Sequence, residues 1–118
     1  MKKKIAILGS TGSIGKTTIK IVKKDKKNFD VILLSTNNNL KEITNQIKQL
    51  KPRNLVINNN NYCLKLKKKF KKINIFNSFD HFFKKFNKKI DYTISAISGL
   101  SGLQPTLDII KYTKNVAI

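Results

Sequence analysis

The chain has 118 residues, enough for one domain with a modest core, and carries 25 Lys+Arg against 6 Asp+Glu for a formal net charge of +19. Its 40% hydrophobic content lies in short runs, which excludes a spanning helix of about 18 or more apolar residues. The single cysteine, Cys63, excludes an internal disulfide and offers no zinc spacing, and the run Ile5 to Leu8 behind Lys2-Lys3-Lys4 is too short for a signal-peptide core.

In chain order, short apolar runs alternate with amphipathic stretches. The first predicted strand is Ile5 to Leu8, followed at once by the turn Gly9-Ser10-Thr11-Gly12-Ser13-Ile14-Gly15. A helix with the stripe Ile14, Thr18, Ile21 and Val22 comes next, then a strand Val31 to Leu34 that runs into Ser35, Thr36 and the Asn37-Asn38-Asn39 loop. A second helix shows Leu40, Ile43, Ile47 and Leu50, and Leu55 to Ile57 is the third strand. After the Asn58 to Asn61 loop, Tyr62, Leu66 and Phe70 mark a third helix whose opposite face is lysine, and Ile73 to Phe76 a fourth strand. Phe79, Phe82, Phe83 and Phe86 mark a fourth helix, Tyr92 to Ala96 a fifth strand, and Leu103, Leu107 and Ile110 a fifth helix; Val116 to Ile118 opens a sixth strand. Steps of three or four place each helical set on one buried stripe. Short, nearly continuous apolar strands alternating with helices imply a parallel sheet covered on both faces, a doubly wound, Rossmann-like α/β domain spanning residues 1–118.

The charge gives no such guidance. Only Arg53 among the basic residues is arginine, Lys, Asn and Ile together make up 55 of the 118 residues, and the two halves of the chain carry +10 and +9. Even spreading and scarce arginine argue for a compositional background, and phenylalanines at helical spacing belong to a core rather than to a base-stacking surface. No specific nucleic-acid partner and no membrane partner is expected. A basic α/β nucleic-acid-binding module nevertheless stands as an alternative reading, distinguished by the salt dependence of its complexes.

The glycine turn carries the chemistry. Directly after the first strand and opening a helix, it presents unpaired backbone N–H groups and the positive end of the helix dipole, which suits a pyrophosphate. Gly9, Gly12 and Gly15 allow close approach, and Ser10, Thr11 and Ser13 add hydroxyls. Gly15-Lys16-Thr17 mimics the end of a P-loop, a P-loop-like NTPase domain being the other alternative, but that pattern needs glycine where this chain has Ser10. Counting on from the turn, the second strand ends in Ser35, Thr36 and Asn37 to Asn39 with no carboxylate before Glu42. Nothing there repels a ribose 2′-phosphate, so NADP is favoured over NAD. Asp25, Asp30, Glu42, Asp80, Asp91 and Asp108 show no paired metal spacing, and His81, on a Phe-rich helix, is expected at the surface rather than in catalysis.

The run Ala6 to Gly15, taken with Ala96-Ile97-Ser98-Gly99-Leu100-Ser101-Gly102-Leu103-Gln104-Pro105-Thr106, resembles the amino-terminal part of the 1-deoxy-D-xylulose 5-phosphate reductoisomerase family over essentially the whole chain. The resemblance implies NADPH-dependent isomerisation and reduction of 1-deoxy-D-xylulose 5-phosphate to 2-C-methyl-D-erythritol 4-phosphate in isoprenoid-precursor synthesis. It places Thr11, Gly12, Ser13 and Ile14 at the cofactor pyrophosphate and matches Asn39 in the second-strand loop, while Asn37 and Asn38 depart from the Gly and basic or small residues usual there; with the glycine turn and that loop read above, the expected cofactor-binding set is Gly9, Ser10, Thr11, Gly12, Ser13, Ile14, Asn37, Asn38 and Asn39. It further implies a homodimer for the complete enzyme, a bacterial cytoplasmic setting with a plastid-type organelle as the other possibility, and Mg or Mn held by residues outside this chain. The family's catalytic and carboxy-terminal domains are absent from these residues, which are expected to catalyse nothing alone.

Overall fold

The computed structural model describes residues 2–97, 99 and 102–118. Among them β1 (Lys3–Leu8), α1 (Ser13–Lys24), a short 3-10 turn at Lys26–Asn28, β2 (Phe29–Thr36), α2 (Leu40–Leu50), β3 (Asn54–Ile57) and α3 (Asn60–Lys69) follow in order. They are succeeded by β4 (Asn74–Phe76), α4 (Phe79–Lys85), β5 (Ile90–Ser95), α5 (Leu103–Ile110) and β6 (Thr113–Ala117). The described strands form one sheet in the order β4-β3-β2-β1-β5-β6, every neighbouring pair parallel. The doubly wound α/β expectation holds.

Alternation along β1 divides the core. Ile5 and Ile7 pack with Ile19 and Val22 of α1, Ile43 and Ile47 of α2 and Cys63 and Leu66 of α3. Ala6 and Leu8 face the other way, against Phe82 of α4 and Ile109 of α5. Burying each such side chain contributes about 1.5–3 kcal/mol, so both layers hold the sheet, and the helices of the first three crossovers lie on one face while the last two lie on the other. Burial also pushes the Cys63 thiol above its ordinary pKa, which leaves it a small core residue.

Two stripes differ from expectation. On α1 the buried residues are Gly15, Ile19 and Val22, whereas Ile14 and Ile21 are 66% and 62% exposed. On α5 they are Thr106 and Ile109, and Leu103, Leu107 and Ile110 face outward. Both helices carry apolar residues on two sides, so spacing alone admits two stripes, and the one holding a small glycine or threonine packs closest to the sheet. β6 also starts earlier than its apolar end suggests: polar Thr113 pairs with Ile90 and Asn115 with Tyr92. Phe82 is fully buried, with Phe86 stacked on it at 4.9 Å, and Phe79 and Phe83 are half-buried around it.

Order reverses at β1, whose neighbours are β2 on one side and β5 on the other. At this switch point the loops after the two strands part, leaving a crevice beyond their carboxyl ends.

Candidate functional site

The turn from β1 into α1 is held by sterics from within and by hydrogen bonds from beneath. Gly9 has φ of 74°, and a Cβ there would lie 3.0 Å from the backbone of Ala96 and Ile97. Gly15 is tighter still, because its Cβ would fall 2.2 Å from the Gly9 carbonyl oxygen and 2.7 Å from the Ser10 backbone. Only glycine allows the start of α1 to lie this close to the turn. Below, the Gly9 N–H donates to Ser35 Oγ at 2.9 Å and the Ser10 N–H to the Ser35 carbonyl at 2.9 Å. The buried Gln46 amide of α2 donates to the Ser10 carbonyl at 2.9 Å, and the Thr11 and Thr36 hydroxyls meet at 2.7 Å.

These anchors leave the other side of the turn open. Helices α2, α3 and α4 are capped by the side chains of Asn39, Asn59 and Ser78, which accept from the N–H groups of Glu42, Tyr62 and His81. Helix α1 begins after Gly12 with no side-chain cap. The N–H groups of Ser13 and Ile14 in its first turn therefore have no helical carbonyl to pair with, and the positive end of the dipole is uncovered.

A cleft of about 410 Å³ opens over this helix start. Of the residues expected from the sequence to bind a cofactor, Gly9, Thr11, Gly12, Asn37, Asn38 and Asn39 line it. Ser10 lies elsewhere: it is fully buried, with its hydroxyl 3.4 Å from the Ser35 carbonyl, and supports the turn from inside. Ser13 and Ile14 are exposed at the first turn of α1, outside the lining. Asn58 and Phe79 close the cleft on the β3 side, Ala96, Ile97 and Pro105 on the β5 side. Sequence reasoning placed Asn58 in a loop and Phe79 in the core; only the strand order brings them to this crevice. Of the second glycine-containing motif, Ser98, Leu100 and Ser101 lie outside the described residues.

At the end of β2 the amides are oriented by their oxygens. Asn37 Oδ1 accepts from Asn58 Nδ2 at 2.7 Å, and Asn39 Oδ1 accepts from the Glu42 N–H at 3.1 Å. Their NH₂ ends are left as donors, as suits an anion. Among the described residues no charged side chain lines the cleft. Lys16, exposed on α1, is not among its walls, so the P-loop likeness finds no counterpart there. His81 is exposed, its Nδ1 2.9 Å from Asn77 Oδ1.

A larger groove of about 910 Å³ lies at the other end of the strands, between α3, the edge strand β4 and α4. Lys67, Lys68, Lys71, Lys72, Lys85 and Lys88 rim it. It lacks a helix start and fixed backbone donors, so size does not decide between the two; the donor geometry selects the smaller cleft. Among the described residues no three of His, Cys, Asp and Glu come together as a metal site, and no helix is long and apolar enough to cross a membrane.

Residues 5–118 match the family model described as 1-deoxy-D-xylulose 5-phosphate reductoisomerase. Among curated proteins of that description, the one from Pelagibacter ubique is 50% identical over 98% of this chain, and the one from Thermodesulfovibrio yellowstonii 33% identical over 98%. The chain spans about a third of the length of these relatives, 31% in both cases. A solved structure of the reductoisomerase from Zymomonas mobilis in complex with NADPH superposes with a TM-score of 0.87 at 28% identity, covering 99% of this chain and 32% of that one. A second, a reductoisomerase in complex with magnesium, has a TM-score of 0.84 at 21% identity and supports the fold alone.

Proposed function

The chain belongs to the 1-deoxy-D-xylulose 5-phosphate reductoisomerase family, and from that premise we propose that residues 1–118 form the NADPH-binding domain of such an enzyme. The observation that carries the reading is the uncapped start of α1 facing a cleft lined by hydroxyls, amides and backbone. The pyrophosphate lies against the N–H groups of Ser13 and Ile14, with Thr11 and Gly12 beside it. The adenosine end extends over β2 and β3, where the donor ends of Asn37 and Asn39, together with Asn38, receive the 2′-phosphate. The nicotinamide end points to the β5 side, past Ala96 and Ile97. These roles rest on the cleft lining, the amide orientations and the general rule for ligands at a switch point.

When bound, NADPH supplies the hydride that reduces the rearranged 1-deoxy-D-xylulose 5-phosphate. The residues present here bind and orient it; Ser35 and Gln46 fix the turn, and Phe79 and Ile97 give the cleft apolar walls. The Mg or Mn implied by the resemblance is proposed to be held by residues outside this chain; among the described residues no three of His, Cys, Asp and Glu come together. Accordingly, the complete enzyme is proposed to be a homodimer of the bacterial cytoplasm, and residues 1–118 to hold cofactor without turning over substrate.

Titration with NADPH at about 0.15 M salt tests the assignment. Saturable binding that Gly12→Asp weakens supports it; equal binding by both proteins overturns it.

A further inference from the structure

Gln46 lies in the middle of α2, fully buried, 36 residues from the turn it touches. Both hydrogens of its amide are used: Nε2 donates to the Ser10 carbonyl at 2.9 Å and to Glu42 Oε2 at 3.1 Å. Its Oε1 is buried and finds no hydrogen-bond partner among the described residues. Rotating the amide would set Oε1 against the Ser10 carbonyl and the Glu42 carboxylate, three acceptors together, so the observed orientation is the only one that pairs the donors. An apolar side chain of the same size would avoid the orphaned oxygen. The fold retains a buried amide with one unpaired oxygen, and what its donors do is hold one peptide plane.

That peptide plane joins Ser10 to Thr11. No cis peptide occurs among the described residues, and in a trans peptide the carbonyl and the following N–H point in opposite directions. With the Ser10 carbonyl held inward by Gln46, the Thr11 N–H is turned outward, on the side where Thr11 lines the cleft. The neighbouring groups are already fixed, since the Gly9 and Ser10 N–H groups are spent on Ser35. We infer that Gln46 is a positioning residue for the cofactor's pyrophosphate: it holds the Ser10–Thr11 peptide so that an N–H, not a carbonyl, faces the anion. Without its donors this plane is free to rotate and present a carbonyl oxygen to the phosphates. The inference rests on the proposed NADPH site and adds to it a group that never touches the cofactor.

The test uses NADP⁺ with the 118-residue protein and the variants Gln46→Met, Gln46→Glu and, as a control on the same helix, Gln49→Met. Gln46→Met keeps the volume and removes both donors; it is expected to weaken NADP⁺ binding about tenfold, the loss of one hydrogen bond to a charged group, while Gln49→Met leaves it unchanged. In Gln46→Glu a carboxylate opposes the Ser10 carbonyl, but its protonated form regains an O–H donor. The ratio of its dissociation constant to that of the unaltered protein should therefore shrink as the pH is lowered from about 8 to about 5. A role confined to packing would lower the melting temperature and leave that ratio flat. Binding by Gln46→Met within about twofold of the unaltered protein, or a flat ratio, overturns the inference. Amide NMR of the cofactor-free protein supplies an independent reading: the Thr11 N–H signal should shift and exchange faster in Gln46→Met and not in Gln49→Met, and an unmoved signal overturns the inference. Should the unaltered protein fail to bind NADP⁺, the proposed function falls, and the NMR comparison still decides whether Gln46 holds the turn.

Discussion

The two ends of the sheet answer the same question, how to hold an anion, in different ways. The groove beside β4 is about 910 Å³ and rimmed by six lysines, none of which makes an ion pair among the described residues. The cleft beyond β1 is about 410 Å³ and has no charged side chain among the described residues of its walls. Yet the second is the anion site proposed above. A lysine brings a strongly hydrated charge on a flexible stem, whose ordering must be overcome on binding. The backbone N–H groups at the start of α1 are already aimed by the helix. Placement of donors, more than their charge, separates a ligand site from a solvated surface.

The sharpest way to break this contrast is to spoil the placement and leave the charge alone. Gly15→Ala puts a Cβ against the Gly9 and Ser10 backbone, which cannot give way. Urea denaturation should show a loss of about 2–3 kcal/mol, and NADPH binding should vanish with the turn. Gly12→Asp separates binding from stability. Gly12 has φ of −77° and ψ of 179°, open to any residue, and a Cβ there meets only the Gly9 oxygen, at 3.8 Å. Aspartate is a good N-cap, so stability should hold or rise by up to about 1 kcal/mol, while calorimetry should find NADPH bound about tenfold to a hundredfold more weakly.

Smaller effects sharpen the comparison from its other end. Reversing three groove charges together, Lys67→Glu, Lys71→Glu and Lys85→Glu, should change NADPH affinity less than about threefold at 0.15 M salt, because exposed charges are screened within about 8 Å. A tenfold loss would show that the cationic end matters to the cleft after all. The smallest effect concerns neither site. The Asp91 carboxylate accepts the Lys4 backbone N–H at 2.8 Å and lies near Lys114, and the first of these above all holds it below the ordinary carboxylate range. A pKa depressed in the folded state contributes stability above the unfolded value, lost as the pH falls through the folded one. Asp91→Asn should therefore flatten the acid side of the stability profile below about pH 4, as read by thermal melts.

How much of this was legible in the sequence depends on what each residue contributes. Strands and glycine turn were readable because local patterns specify them: a short apolar run, then glycines spaced for a tight turn. Stripe assignment failed on α1 and α5 because isoleucine and leucine occupy both sides of those helices. The deciding factor, how closely Gly15 and Thr106 approach the sheet, is tertiary. The cleft was half legible. Thr11, Gly12 and Asn37 to Asn39 follow directly from strand ends, whereas Asn58, Phe79 and Pro105 come together through the strand order alone. Ser10 was misplaced because a hydroxyl in a turn looks available until the Ser35 carbonyl is found beneath it. Gln46 did leave a trace, a polar residue three positions after Ile43 and next to Ile47 on the stripe facing the sheet, but nothing local says which carbonyl it serves.

The position of β1 also governs how the domain comes into being. Among the described strands it comes first along the chain, yet it lies between β2 and β5, and its bond from the Lys4 N–H to Asp91 spans 87 residues of chain. During synthesis, at about 5–20 residues per second, the flank of β1 that pairs with β5 waits roughly 4–17 s for its partner after the strand is made. Throughout that interval Ile5 to Leu8 is an open, apolar edge. The crevice beyond β1 therefore gains its β5-side wall, at Ala96 and Ile97, after its β2-side wall at Asn37 to Asn39.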